Sequence, residues 1–179
     1  RRTLPLARVY RLLEPGPVVL LTTARKGRAN VMAMSWHTML EFEPPLVGCV
    51  VSDRNYSFAS LKATRECAIS IPTVELAEKV VACGNASGAT TDKFAAFGLT
   101  PVPGRRVAAP LVGECYASLE CRVVDTRLDV DGRSAVVLRC PLVQRRGHAE
   151  GVLTQAQVVV TGRDEDPTRA GCGTHGELL

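Results

Sequence analysis

The sequence predicts a mainly β fold, an antiparallel barrel or sandwich with short helical insertions. Three observations carry that expectation. Short apolar, β-branched segments recur between turn residues, few stretches show a helical rhythm, and Asp131-Gly132 parts two long strand-like runs as a hairpin signal. A closed or nearly closed barrel also removes the strand edges that such a chain would otherwise expose.

The elements follow in order. From Gly16 the chain reads as PVVLLTTA, a turn at RKGR, then ANVMAMSW, and PPLVGCVVS after a Pro-Pro break. SFASLKATRE is a helical candidate with Ser57 as N-cap and Leu61 on the same face as Phe58. The alternating run CAISIPT separates it from VELAEKVVACGN, whose helical rhythm is stopped by Gly84. TTDKFAAFGL reads as a short helix with Thr91 or Asp92 at its start and a glycine stop at Gly98. A looser, proline-rich stretch from 100 to 113 leads to CYASLECRVVDTRLDV. RSAVVLRCPLVQRR is its hairpin partner, and LTQAQVVVTG is a last strand.

Composition narrows the classes. A chain of 179 residues suffices for one domain with a sizeable core, and 46% hydrophobic with 22% charged residues describes a globular protein rather than a disordered one. No apolar run has the length of a membrane span, and the N-terminal stretch lacks the apolar centre of a signal peptide, so the cytoplasm is the expected location. The net charge of +4 is scattered, without a basic stripe interleaved with aromatics, which argues against nucleic acid. Seven cysteines occur without a CxxC pair. Cys49, Cys67, Cys115, Cys121 and Cys140 fall in apolar runs where a thiol behaves as a small hydrophobe, in keeping with a reducing compartment. His37, His148 and His175 form no zinc spacing, and Cys172 with His175 is only half of a metal motif. No nucleophile and base are paired in the sequence as hydrolytic chemistry requires.

Three stretches carry chemistry. All three methionines and the only tryptophan lie in NVMAMSWHTML. On a strand, alternation places Asn30, Met32, Met34 and Trp36 on one face and Val31, Ala33 and Ser35 on the other. Such a soft face is either core filler or the wall of a pocket for a flat, polarizable ligand. In VSDRNYSF, Arg54 stands ahead of a helix start, where its guanidinium, the Ser57 hydroxyl and free N–H groups suit an anion such as phosphate. An ordinary N-cap beside a solvated arginine reads equally from these residues. CGNASGATTDKF is a donor-rich loop with Lys93 as a local positive charge, or else a plain surface connection.

In this order and spacing, NVMAMSW, SDRNYSF and CGNASGATTDKFAAFGLT, followed by SLEC at Ser118 to Cys121, resemble the flavin reductase-like family, which includes the flavoredoxins. The resemblance covers roughly residues 12–162, so residues 1–163 are expected to form one flavin reductase-like domain, and the polar, glycine-rich composition of 164–179 reads as a flexible tail. The resemblance implies a six-stranded antiparallel Greek-key split barrel with short helical insertions, a homodimer, and one FMN per subunit, with FAD the lesser alternative. By this resemblance Asn30, Met32, Ala33, Met34, Ser35 and Trp36 lie along the isoalloxazine and ribityl chain. Ser52, Arg54, Asn55 and Ser57 reach the phosphate, and Ser87, Gly88, Asp92 and Lys93 form a second loop beside it. Ala89 stands where relatives often carry arginine, which leaves the loop's charge to Lys93.

The implied activity is an NADH- or NADPH-dependent flavin reductase that supplies reduced flavin, for instance to a flavin-dependent monooxygenase. The reacting atoms belong to the flavin, so no catalytic side chain is assigned. Two other readings stay open: a flavoredoxin-type carrier with tightly held FMN and a protein redox partner, and a non-redox module on the same barrel.

Overall fold

The computed structural model describes residues 17–130 and 133–145. Strands β1 (Val19–Arg25), β2 (Arg28–Met34), β3 (His37–Glu41) and β4 (Leu46–Ser52) come first, followed by helix α1 (Tyr56–Thr64) and strand β5 (Glu66–Ile71). A 3₁₀ turn (Val74–Leu76) opens α2 (Ala77–Asn85); α3 (Lys93–Ala96), the short strands β6 (Pro101–Val102) and β7 (Leu111–Val112), and the long pair β8 (Ala117–Val130) and β9 (Arg133–Arg145) follow. Seven strands form one antiparallel sheet in the order β2-β1-β5-β8-β9-β4-β3, and β6 pairs with β7 separately.

The two edges of that sheet, β2 and β3, are joined in sequence by only Ser35 and Trp36. Edges so tethered must meet, so the sheet curls into a half-barrel with its seam at these two residues. The Trp36 carbonyl accepts from the Val50 N–H at 3.0 Å, which ties the seam to β4.

Alternation along the strands then separates two cores. Val19 and Leu21 on β1, Met32 and Met34 on β2, and Val47, Cys49 and Val51 on β4 point into the barrel. Val18, Leu20, Val31 and Ala33 face outward and are covered by Leu76, Val80 and Cys83 of the 3₁₀–α2 segment and by Phe94 of α3. β1 and β2 are thus buried on both faces, which explains their nearly unbroken apolar sequence.

The expected elements recur with several differences. Gly84 does not stop α2 but is buried inside it, and the helix runs on to Asn85. Asn55, not Ser57, is the N-cap of α1. β3 was not foreseen, because HTMLE alternates poorly and is largely exposed, being held among the described residues on one side only, by β4. Among the described residues the main sheet therefore has seven strands, against six expected in all. Lys26 and Gly27 both take positive φ, 51° and 75°, so RKGR is a tight hairpin turn in which glycine fills the second position. Val130 pairs with Arg133, leaving two residues to connect β8 and β9; those two, Asp131 and Gly132, lie outside the described residues, as do LTQAQVVVTG and the tail.

The proline-rich stretch from 100 to 113 is clamped rather than loose. Glu120, fully buried on β8, accepts from the backbone N–H groups of Arg106 at 2.5 Å and Val107 at 3.1 Å, and from Gln144 Nε2 at 2.8 Å. Glu66 accepts from the Ala108 N–H at 2.9 Å and pairs with Arg122 at 2.9 Å. Burial opposes ionisation of Glu120, but the backbone donors outweigh it and hold the carboxyl below its ordinary value.

The thiols bear out their reading as small hydrophobes. Cys49, Cys67, Cys83, Cys115, Cys121 and Cys140 are all buried and unpaired. Burial raises the Cys49 thiol to about 12 and the Cys83 thiol to about 11, far from the thiolate that reacts. Native protein treated with a thiol reagent at neutral pH is expected to leave these six unmodified until denaturant is added. Mapping by mass spectrometry checks this; rapid native labelling of Cys83 would contradict it.

Candidate functional site

The seam at Ser35 and Trp36 opens into a groove of about 720 Å³, lined by Trp36, Leu40 of β3, Gly48 and Val50 of β4, and Ala135 and Val137 of β9. Its wall is mostly apolar. The Ser35 hydroxyl oxygen is buried and has no hydrogen-bond partner among the described residues. At one rim Arg127 chelates Asp125 through Nε at 2.9 and 3.0 Å and Nη2 at 2.6 Å, and this hydrogen-bonded pairing pulls the Asp125 carboxyl down to about 2.

β4 links the groove to a second feature. Val47, Cys49 and Val51 are in the core, so Gly48, Val50 and Ser52 share the opposite face. Two residues of strand, roughly 7 Å, carry that face from Val50 to Ser52. There the chain turns into α1 through reciprocal bonds: the Ser52 N–H donates to Asn55 Oδ1 at 3.0 Å, and the Asn55 N–H to the Ser52 carbonyl at 3.0 Å. Ser52 Oγ accepts from the Arg54 N–H at 3.2 Å. With its side chain engaged in the turn, Asn55 gives α1 no side-chain cap, and the first turn holds no acidic residue. The positive end of this nine-residue helix is therefore left without a negative partner from its own sequence. The exposed Arg54 side chain makes no hydrogen bond or ion pair among the described residues.

The loop at 86–91 closes the other flank. Asn30 Nδ2 donates to Ser57 Oγ at 2.8 Å, joining β2 to α1 in a buried contact. Gly88 lies directly on the Asn30 amide: a Cβ there would overlap it and come within 2.8 Å of the Tyr56 ring, so only glycine lets the loop approach this closely. Asn30, Ser57 and Gly88, separated in sequence, meet in one place.

Other expected site residues are placed differently. Met32 and Met34 are fully buried inside the barrel, so their side chains are core filler, and only their backbone and that of Ala33, itself in the outer core, line the strand. Ser87 Oγ accepts from the Ala89 N–H at 3.2 Å, and Asp92 caps α3 by accepting from the Ala95 N–H at 3.2 Å. Lys93 does not face the loop's surface. It is 1% exposed, and its Nζ donates to the Cys83 carbonyl at 2.8 Å at the end of α2. Burial lowers its ammonium to about 8. Sequence reasoning missed Arg28, Tyr56, Leu40, Gly48 and Val50. Only the intermediate burial that β4's alternation implies for Gly48 and Val50 signalled any of them.

The residues present fit a flavin on one observation above all: a groove with apolar walls and an orphaned buried hydroxyl includes Val50, and the next residue on that face of β4, Ser52, opens the turn that holds Arg54 and the side-chain-uncapped start of α1.

Comparison with known proteins gives the family. The model of the flavin reductase-like domain matches residues 10–169. This chain belongs to the flavin reductase-like domain family. An uncharacterized protein of Pyrococcus abyssi is 36% identical over 118 residues, covering 66% of this chain and 67% of that protein. Further uncharacterized relatives from Archaeoglobus fulgidus and Escherichia coli are matched over 55% and 62% of their own lengths. Flavoredoxin of Desulfovibrio vulgaris is 28% identical, with a TM-score of 0.69 over 88% of this chain and 82% of its own. The Streptomyces globisporus NADH:FAD oxidoreductase SgcE6 shares the fold, with a TM-score of 0.73 over 86% and 93% of the two chains at 19% identity. The FMN-binding split barrel expected from the sequence is the fold of this family member.

Proposed function

We propose that this chain binds FMN in the seam groove and reduces flavin at the expense of NADH or NADPH. The single observation that supports it is the placement of the apolar groove at Ser35 and Trp36 and of the turn that carries Arg54 and the start of α1 at successive points, Val50 and Ser52, on one face of β4. A flavin has this polarity order: a flat aromatic ring with one polar edge, then a flexible chain, then a phosphate. Bound flavin supplies the hydride-accepting chemistry. The chain's own residues supply position. Trp36, Val50 and Val137 exclude water from the ring's faces, Ser35 offers its hydroxyl to a polar edge, and Arg54 with the first turn of α1 holds the phosphate.

The chain acts as a homodimer in this reading. β3 is an edge strand whose Met39 and Leu40 are each 52% exposed, and Phe42 just beyond it is 86% exposed, an apolar border along the groove that a second copy covers.

The likeness to flavoredoxin favours a second reading, a carrier with tightly held FMN and a protein redox partner. Anaerobic titration of the FMN-loaded protein with NADH and then NADPH separates them. Prompt bleaching of the flavin bands is expected for the reductase, whereas persistent colour with either nicotinamide contradicts it and leaves the carrier.

A further inference from the structure

We infer that Arg28 is the second cationic residue of the phosphate cradle and the tether that holds the 86–91 loop over it. The inference rests on the flavin reading above and adds a residue to that site.

Arg28 opens β2, and its guanidinium lies 5.1 Å from the centroid of the Tyr56 ring, the first residue of α1. Its Nη2 donates to the Gly88 carbonyl at 2.8 Å and to the Ala89 carbonyl at 3.4 Å. Nε and Nη1 have no partner among the described residues. One side chain thus touches both walls of the cradle and keeps donors to spare. The loop itself, Ala86 to Thr91, carries no cation, and Lys93 is turned inward to the Cys83 carbonyl. Arg28 is therefore the positive group that lies on this loop, and through Tyr56 it reaches the helix whose entry turn carries Arg54.

The bonds of Arg28 to the loop and its place over the Tyr56 ring favour the fold, but two features of its position oppose it. A cation beside the first turn of a helix opposes the helix dipole, and Arg28 stands directly opposite Arg25 across the hairpin, a like-charge pair. Both costs turn into gains when an anion sits at the start of α1. A phosphate monoester meets that requirement, and a guanidinium fork already fixed by one carbonyl gives it a preorganised donor.

The test compares FMN with riboflavin, which lacks the phosphate, by flavin fluorescence titration at low and moderate salt. Wild type is compared with Arg28→Gln, Arg28→Lys and Arg54→Ala, with thermal melting of each apoprotein as a check on folding. Glutamine retains an amide N–H that reaches toward Gly88 but no charge. Arg28→Gln is expected to weaken FMN about 10-fold or more, the scale of a charge-assisted hydrogen bond, and riboflavin far less, with a shallower salt dependence. Arg28→Lys is expected to recover part of the loss. Equal losses for both flavins, or no loss, overturn the inference while leaving the phosphate site in place, provided Arg54→Ala selectively weakens FMN. Equal binding of FMN and riboflavin by wild type removes the phosphate site and the inference together.

Discussion

Replacing Glu120 by alanine is expected to destabilise the fold by about 2 to 3 kcal/mol, since it leaves one buried backbone N–H unpaired at roughly 1 to 3 kcal/mol and removes two part-buried bonds of smaller worth. The donors are those of Arg106, Val107 and Gln144. The same contacts set a pH dependence. Because the folded carboxyl lies below its ordinary value, the unfolded chain takes up this proton first as pH falls. Glu120 therefore contributes stability that is complete above the ordinary carboxylate range and is lost as pH drops through the depressed folded value. Urea unfolding of wild type and Glu120→Gln between neutral and acidic pH checks this. The glutamine variant, which keeps one acceptor oxygen, is expected to lose less stability on acidification than wild type. Parallel pH curves for the two proteins would show that the carboxylate is not what clamps the 103–110 segment.

Gly88→Ala is expected to give the larger effect on ligand binding. The added methyl overlaps the Asn30 amide and crowds Tyr56, so the loop lifts away from β2 and α1 or Asn30 gives up its bond to Ser57. Overpacking of this kind costs on the order of 1 to 3 kcal/mol, and its effect falls on the loop that flanks the cradle. FMN affinity is expected to fall about 10- to 100-fold, with the barrel's far-ultraviolet circular dichroism unchanged. Unaltered FMN affinity in a folded Gly88→Ala protein would place the 86–91 loop outside the site.

The strands and the site were legible to different depths. Alternation in LVGCVVS located β4 and its two faces, because a strand with one face on the core imposes a period of two. In NVMAMSW the same alternation was read correctly as geometry, with Met32 and Met34 on one face, yet both faces proved to be buried. A soft interior and a soft pocket wall look alike in sequence, and only the closure of the barrel decides between them. β3 was hidden because an edge strand bonded on one side needs little apolar content.

Charge was the least legible. Lys93 and Arg28 are both cations near the same loop, and the sequence favoured the one inside the motif. The fold turns that lysine toward the end of α2, where it satisfies the Cys83 carbonyl, and brings Arg28 across from a hairpin 60 residues earlier. Spacing along the chain reports which residues are neighbours in a loop, not which strand end arrives beside it. Asn30, Ser57 and Gly88, expected from the sequence to share one site, do meet in the fold, and the contact between them is a buried packing contact.

The most direct test of the central claim is a titration of the apoprotein with FMN and with riboflavin, followed by flavin absorbance and fluorescence, for wild type and Arg54→Ala. The account predicts saturable binding of one FMN per chain, weaker binding of riboflavin, and a loss on Arg54→Ala of about 1.5 to 3 kcal/mol for FMN with little change for riboflavin. Failure of wild type to bind either flavin, or an Arg54→Ala loss that is equal for both, would contradict it.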